Sequence, residues 1–236
     1  MLYNVDFFRG LKKLFTHHHI LSISGESGTG KTTLALQIVG TLLTYEHPFQ
    51  DSCIWVQASE LFSLKRLNQL FQERGNKLEY VKNSFYVIPQ KIPIQSYEQQ
   101  ASIFQNIFAP NSNIPPNLKY IIIDNISHHL RYKISQFHTI KDISSILDTF
   151  YEAQLMPLIS FCKQNRIMLI LIHEVSYSLK DQCNRPFFYK LYDRIKTIDI
   201  VLNKVYHSEK KNLQIYFNKL KWTFQFTIET NGILFI

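Results

Sequence analysis

The run Gly25-Glu26-Ser27-Gly28-Thr29-Gly30-Lys31-Thr32 fits the spacing GxxxxGK[ST] at every fixed position. Glycines so spaced let a backbone curl round an anion with its N–H groups inward, and a helix opening near Lys31 adds the positive end of its dipole. Lys31 then reaches the β and γ phosphates as a point charge, and the Thr32 hydroxyl gives one oxygen to a hydrated Mg²⁺. Together with Thr33, the run predicts a surface for a nucleoside triphosphate such as ATP.

Such a loop works only between a strand and a helix. Ile20 to Ser24 alternates as a strand does, and Leu34, Ile38 and Leu42 recur at helical spacing until Pro48. Further along, residues 53 to 57 read as a buried strand, Ser63 to Gly75 as a helix, and Ser84 to Ile88 as a short strand closed by Pro89. Ser96 with Gln99 forms a capping box for a helix through Phe108, and a loop from Pro110 to Pro116 follows. Lys119 to Asp124 is a β-branched run ending in a carboxylate, the pattern of a central parallel strand. Helical periodicity from 143 to 165 contains Pro157, which kinks that helix or begins a second. Arg166 to Ile172 is the next buried strand. Beyond residue 197 the strands 198 to 204, 213 to 218 and 224 to 228 alternate, with Asn231-Gly232 as a turn before a last apolar strand.

Hydrolysis needs a carboxylate near the metal and a group that orients water. Asp124 ends its apolar strand where doubly wound sheets place ligands, which suits Mg²⁺. Two roles fit Glu60 equally: polarising water towards the γ phosphate, or offsetting a helix macrodipole.

The bulk numbers bound the rest. The 236 residues are 45% hydrophobic with only 7 Gly and 8 Pro, which predicts one packed domain over 1–236, with 1–17 as a lead-in and 197–236 as C-terminal antiparallel strands. No apolar run approaches a membrane span and no signal h-region is present, so the expectation is a cytoplasmic protein with no membrane partner. Cys53, Cys162 and Cys183 are far apart and never in a CxxC, which points away from disulfides and zinc. Adjacent residues on a strand face opposite ways, so His17-His18-His19 cannot converge on one metal. The net charge of +8 suits an anionic partner or, equally, a solvated lysine-rich surface.

In order and spacing these pieces resemble the RecA superfamily of ATPases, above all the archaeal RadA and RadB recombinase branch, with KaiC-type proteins as near relatives. Ala58-Ser59-Glu60 followed by a helix with Arg66 resembles the family's Asp-Thr-Glu-Gly segment, which places Glu60 on its catalytic glutamate. Tyr120 to Ile126 resembles the Walker B strand, and Arg131 falls where members carry an Arg after the next loop. Ile170 to Val175 resembles the strand that usually closes Asn-Gln-Val, which makes His173 and Glu174 sensor positions; Asn184-Arg185-Pro186 resembles the Arg-Pro that follows. Lys219-Leu220-Lys221 resembles a Lys-x-Arg element that contacts nucleotide across a subunit boundary.

The resemblance implies an α/β fold with a RecA-like P-loop NTPase core, a mostly parallel sheet flanked by helices and finished by antiparallel strands. It implies Lys31, Glu60 and Asp124 as catalytic, Thr32 and Asp124 on Mg²⁺, and ATP as the nucleotide. The partners it implies are single-stranded DNA and a RecA-family protein or a second copy of the chain. Departures at Ala58, His173-Glu174 and Phe187-Phe188 imply slow turnover, or a KaiC-like or scaffold-like interaction protein that hydrolyses little. In RecA-like folds two loops face DNA. Here they carry Arg131 and Lys133, then Lys180, Arg185, Lys190 and Arg194, interleaved with aromatics that suit base stacking.

Overall fold

The computed structural model describes residues 7, 10, 11, 14, 19–45, 50–72, 75–109, 112–179 and 182–236. His17, His18 and Lys180 lie outside them. The strands are β1 (Ile20–Gly25), β2 (Ser52–Gln57), β3 (Phe85–Ile88), β4 (Leu118–Asp124), β5 (Met168–His173), β6 (Val175–Ser178), β7 (Cys183–Pro186), β8 (Ile198–Lys204), β9 (Lys211–Phe217), β10 (Leu220–Glu229) and β11 (Gly232–Phe235). The helices are α1 (Lys31–Tyr45), α2 (Leu64–Phe71), α3 (Asn76–Ser84), α4 (Tyr97–Phe108), α5 (His128–Ile134), α6 (Ile140–Phe150), α7 (Met156–Gln164) and the single turn α8 (Tyr189–Tyr192).

Nine strands form one sheet in the order β11-β10-β9-β8-β1-β5-β4-β2-β3, and β6 and β7 pair as a separate hairpin. Strands β3, β2, β4, β5, β1 and β8 run parallel, whereas β9, β10 and β11 are antiparallel. The expected block of antiparallel strands from 197 is corrected at its start, because β8 runs parallel to β1 and only its other edge is antiparallel. Alternate residues of the inner strands feed two cores. Leu21, Ile23, Trp55, Ile122 and Ile170 join Leu34, Ile38 and Phe71 on one face, and Ile54, Val56, Ile121, Ile123 and Leu169 join Phe104, Phe150 and Leu158 on the other. Burial on both faces is what turns a strand into a continuous apolar run.

Two other expectations change, and the choice left open at Pro157 falls to a second helix. The helix expected from Ser63 to Gly75 stops at Phe71, and a second begins after Gly75, whose φ of 54° lies in the left-handed region glycine tolerates. Between 140 and 164 there are two helices joined by a π-helical turn at Tyr151–Leu155, and Pro157 lies just past that turn, where its missing N–H breaks the regular ladder and begins α7. The segment after 175, read as loop, holds the β6–β7 hairpin and α8; Val-Ser-Tyr-Ser alternates too briefly and too politely for a strand signal. The capping reading holds, with the Ser96 hydroxyl accepting from Gln99 N at 3.0 Å.

Helix α1 carries the phosphate loop's exit, so what seats it matters. Gly40 lies under the Phe71 ring, and a Cβ built there would run into that ring. Gly40→Ala should therefore destabilise the protein by about 1–3 kcal/mol through overpacking, against the ~1 kcal/mol that alanine gains in helix propensity. Urea unfolding measures it. A stability equal to or above wild type would contradict this packing, and Phe71→Leu in the same chain should restore part of the loss.

Candidate nucleotide-binding site

The phosphate loop leaves the carboxyl end of β1 and turns into α1 at Lys31. Gly28 and Gly30 have φ of 74° and 91°, so the turn uses backbone conformations that side chains disfavour. The Thr29 hydroxyl ties the loop across itself by donating to Glu26 O at 2.8 Å. Lys31 Nζ lies back over the loop and donates to the carbonyls of Gly25 at 2.8 Å and Glu26 at 2.9 Å. Burial lowers the Lys31 pKa, and the carboxylates of Asp124, Glu174 and Glu60 pull the other way.

Asp124 ends β4 one strand beyond β5, and its Oδ2 accepts the Thr32 hydroxyl at 2.7 Å. The pair is a set of hard oxygens of the kind Mg²⁺ takes. Lost solvation raises the Asp124 carboxyl to about 6; the Thr32 hydrogen bond and Lys31 oppose this, while Glu60 and Glu174 add to it. Four carboxyl groups, Glu26, Glu60, Asp124 and Glu174, surround one cavity and repel each other, and a divalent cation is the natural relief.

That cavity has a volume of about 620 Å³ and is lined by the loop and by Ser59, Glu60, Asp124, Asn125, Glu174 and Asn184, among others. Glu60 stands exposed at its rim. Glu174 is held from three sides: Arg131 forms an ion pair with it, Asn125 Nδ2 donates at 3.0 Å, and His128 Nδ1 lies 3.9 Å away. Arg131 also lies over the Phe187 ring, 4.6 Å from its centre. Outside the cavity, Arg66 donates to Thr33 Oγ1 at 3.2 Å and to the carbonyls of Glu229 at 2.9 Å and Thr230 at 2.8 Å. This fixes the first turn of α1 to the β10–β11 turn. Gln37 continues the clamp, donating to Ile233 O and accepting from Ile233 N.

Thus the structure brings together Gly25, Glu26, Ser27, Gly28, Gly30, Lys31, Thr32, Thr33, Glu60, Asp124, Arg131 and Glu174 round one cavity, with Thr29 buried beneath the loop. His173 is not among them. It is fully buried on the strand face opposite α1, edge-on to Tyr192 at 4.5 Å, and burial lowers its pKa to about 3. Lys219 sits on the β9–β10 turn and Lys221 at the start of β10 over the Tyr216 ring, both exposed and outside the cavity lining. Lys133 pairs with Glu98 at 2.7 Å, Arg194 with Asp148 at 3.8 Å, Lys190 is exposed, and Arg185 lines a different cavity. Sequence reading missed Asn125 and Asn184. The first follows the Asp124 it serves and was open to inference. The second reaches Glu26 Oε1 at 2.7 Å across the fold, and no local signal announces it.

Residues 9–90 match the NB-ARC domain model, a span of about a third of the chain that contains the phosphate loop. Over the whole chain, the structure is similar to a crystal structure of the RadB recombinase at a TM-score of 0.66 and 20% identity, covering 91% of this chain and 89% of that one. The fold is RecA-like. In this RecA-like core the parallel strands carry the loop, Asp124 and Glu60 at or just past their carboxyl ends, and Ile228 of β10 and Ile233 of β11 lie against Gly30. Among the described residues no helix is long and apolar enough to cross a membrane.

The raised carboxyl of Asp124 has a stability consequence. Its folded pKa of about 6 exceeds the ordinary value near 3.9, so the folded state holds the proton more tightly. The associated stabilisation is complete below about pH 4 and is lost as pH rises through 6. Asp124→Asn should therefore melt higher than wild type at pH 7.5 without nucleotide, by about 1 kcal/mol or roughly 2–4 °C, with the gap closing towards pH 5. Thermal scans at both pH values decide it; a lower Tm at pH 7.5 contradicts the crowding of charge.

Proposed function

We propose that this chain is a Mg²⁺-dependent ATPase of RadB-like type that binds single-stranded DNA and assists homologous recombination and repair in the cytoplasm. The observation that carries the reading is the 2.7 Å contact between Thr32 and Asp124, made beneath a phosphate cradle and facing Glu60 at the rim. The loop amides and Lys31 bind the phosphates, with Lys31 exchanging two carbonyls for phosphate oxygens. Thr32 and Asp124 hold the metal, which when bound neutralises charge on the β and γ phosphates. Glu60 orients the attacking water and takes its proton.

Support for a nucleic-acid partner comes from two cation–aromatic pairs, Arg131 over Phe187 at the phosphate-loop cavity and Arg185 over Tyr189 at the second cavity. The exposed Lys219 and Lys221 point to a role across a boundary, with a RecA-family protein or a second copy of this chain.

Lys31→Ala should abolish binding of ATP, read by calorimetry. Glu60→Gln should keep ATP affinity and lose turnover about a hundredfold or more. Single-stranded DNA should stimulate wild-type turnover, less so as salt rises, because phosphate contacts release counterions. Binding of ATP with no turnover under any condition overturns the ATPase reading.

One observation favours a second reading, a KaiC-like or scaffold-like protein gated by nucleotide with little hydrolysis. Glu174 adds a further carboxylate to the cavity beside Glu26, Glu60 and Asp124, and Arg131 is spent on pairing with it. If that ion pair limits hydrolysis, Glu174→Gln raises turnover several-fold; an unchanged rate removes the support for this alternative.

A further inference from the structure

A second cavity of about 610 Å³ lies on the sheet face opposite α1, roofed by β7 and α8. Its floor consists of two rows that cross three strands in register, Ser22–Asp199–Tyr216 and Ser24–Val201–Gln214. Residues paired across strands share a face, so these side chains stand together. Five of the six are polar, on a sheet whose same face two strands away holds only Ile121 and Ile123 against a packed core. A row of polar residues on a sheet under a roof is unusual unless something polar occupies the space.

The polar groups are partly committed and partly available. Asp199 accepts the Thr197 hydroxyl at 2.7 Å, and Gln214 Oε1 accepts from Tyr216 at 2.7 Å, which leaves the Gln214 amide nitrogen as a donor. The Tyr192 hydroxyl is buried without a hydrogen-bond partner although Tyr192 lines the cavity, and neither ring nitrogen of the adjoining His173 has one. Above the floor, Arg185 lies 4.7 Å over the Tyr189 ring.

We infer that this cavity binds the base of a nucleotide, with the attached phosphate towards Arg185. A carboxylate beside an amide donor matches the mixed donor and acceptor edge of a base. Tyrosine rings supply stacking surface, guanidinium supplies the counter-charge, and the volume falls within the range of small-molecule sites. Two sources share this chemistry, a free mononucleotide and one residue of a single strand, and the test below separates them. The inference does not rest on the ATPase reading. Asn184 lines both cavities, so the phosphate-loop site has to be silenced for a clean test.

The test uses the full chain carrying Lys31→Ala. Calorimetric titration with AMP, CMP, GMP and UMP, with ribose 5-phosphate as the base-free control, should give a Kd of about 1 mM or tighter for at least one mononucleotide and tenfold weaker binding of the control. Val201→Phe, which fills the floor, and Gln214→Leu, which removes the donor, should each weaken that binding tenfold or more. If no mononucleotide binds but a labelled single-stranded oligonucleotide loses tenfold in affinity with Gln214→Leu, the base comes from a strand and the inference stands. Detectable mononucleotide binding that is no tighter than that of ribose 5-phosphate, or affinities for mononucleotide and oligonucleotide that both ignore Gln214→Leu in a folded protein, overturn it. Circular dichroism establishes folding, and Gln214→Leu decides alone should Val201→Phe not fold.

Discussion

Asp124 is a partly buried, poorly solvated carboxyl group at the end of a buried strand, and its surroundings decide what the site can hold. Desolvation works against its charge, and Glu60 and Glu174 work in the same direction. Among the described residues Thr32 and Lys31 offset this, and both belong to the phosphate loop. The strand order β1-β5-β4 sets the distance between the loop and the carboxylate. A shift of β4 by one residue would turn Asp124 to the other face and separate it from Thr32.

Because the loop's geometry is backbone geometry, its reliability depends on how α1 is held. Three attachments do this from different sides: Gly40 lets Phe71 approach closely, Arg66 bridges Thr33 to the β10–β11 turn, and Gln37 pairs with Ile233 as a neighbouring strand would. The clamp is made of hydrogen bonds to backbone carbonyls, whose directions are fixed by the sheet. A charged donor such as Arg66 makes such bonds about twice as strong as neutral ones.

How much of this was legible follows from how local each signal is. The phosphate loop, β1, β4 and Asp124 could be read directly, since spacing and two-sided burial leave their mark within ten residues. The division of α2 from α3 was missed because Gly75 acts through a backbone angle, not through the apolar pattern. The β6–β7 hairpin was missed because its residues are half exposed on both faces and carry no period-two contrast. The direction of β8 was misjudged for a different reason: alternation predicts a strand but not which neighbour it joins. Sensor position 173 failed at the level of faces. On β5 His173 pairs with Ser24 and shares its side of the sheet, whereas Glu174 lies one step past the strand and turns into the cavity.

The clamp on α1 spans great lengths of chain: Arg66 and Glu229 are 163 positions apart, and Gln37 and Ile233 are 196 apart. During synthesis the ribosome makes residues 25 to 33 early and the β10–β11 turn late, and translation adds only about 5–20 residues each second. For many seconds, then, a nascent chain carries a complete phosphate-binding motif that lacks its brace. The helix that follows the phosphate loop is fully seated only once the final strands are in place.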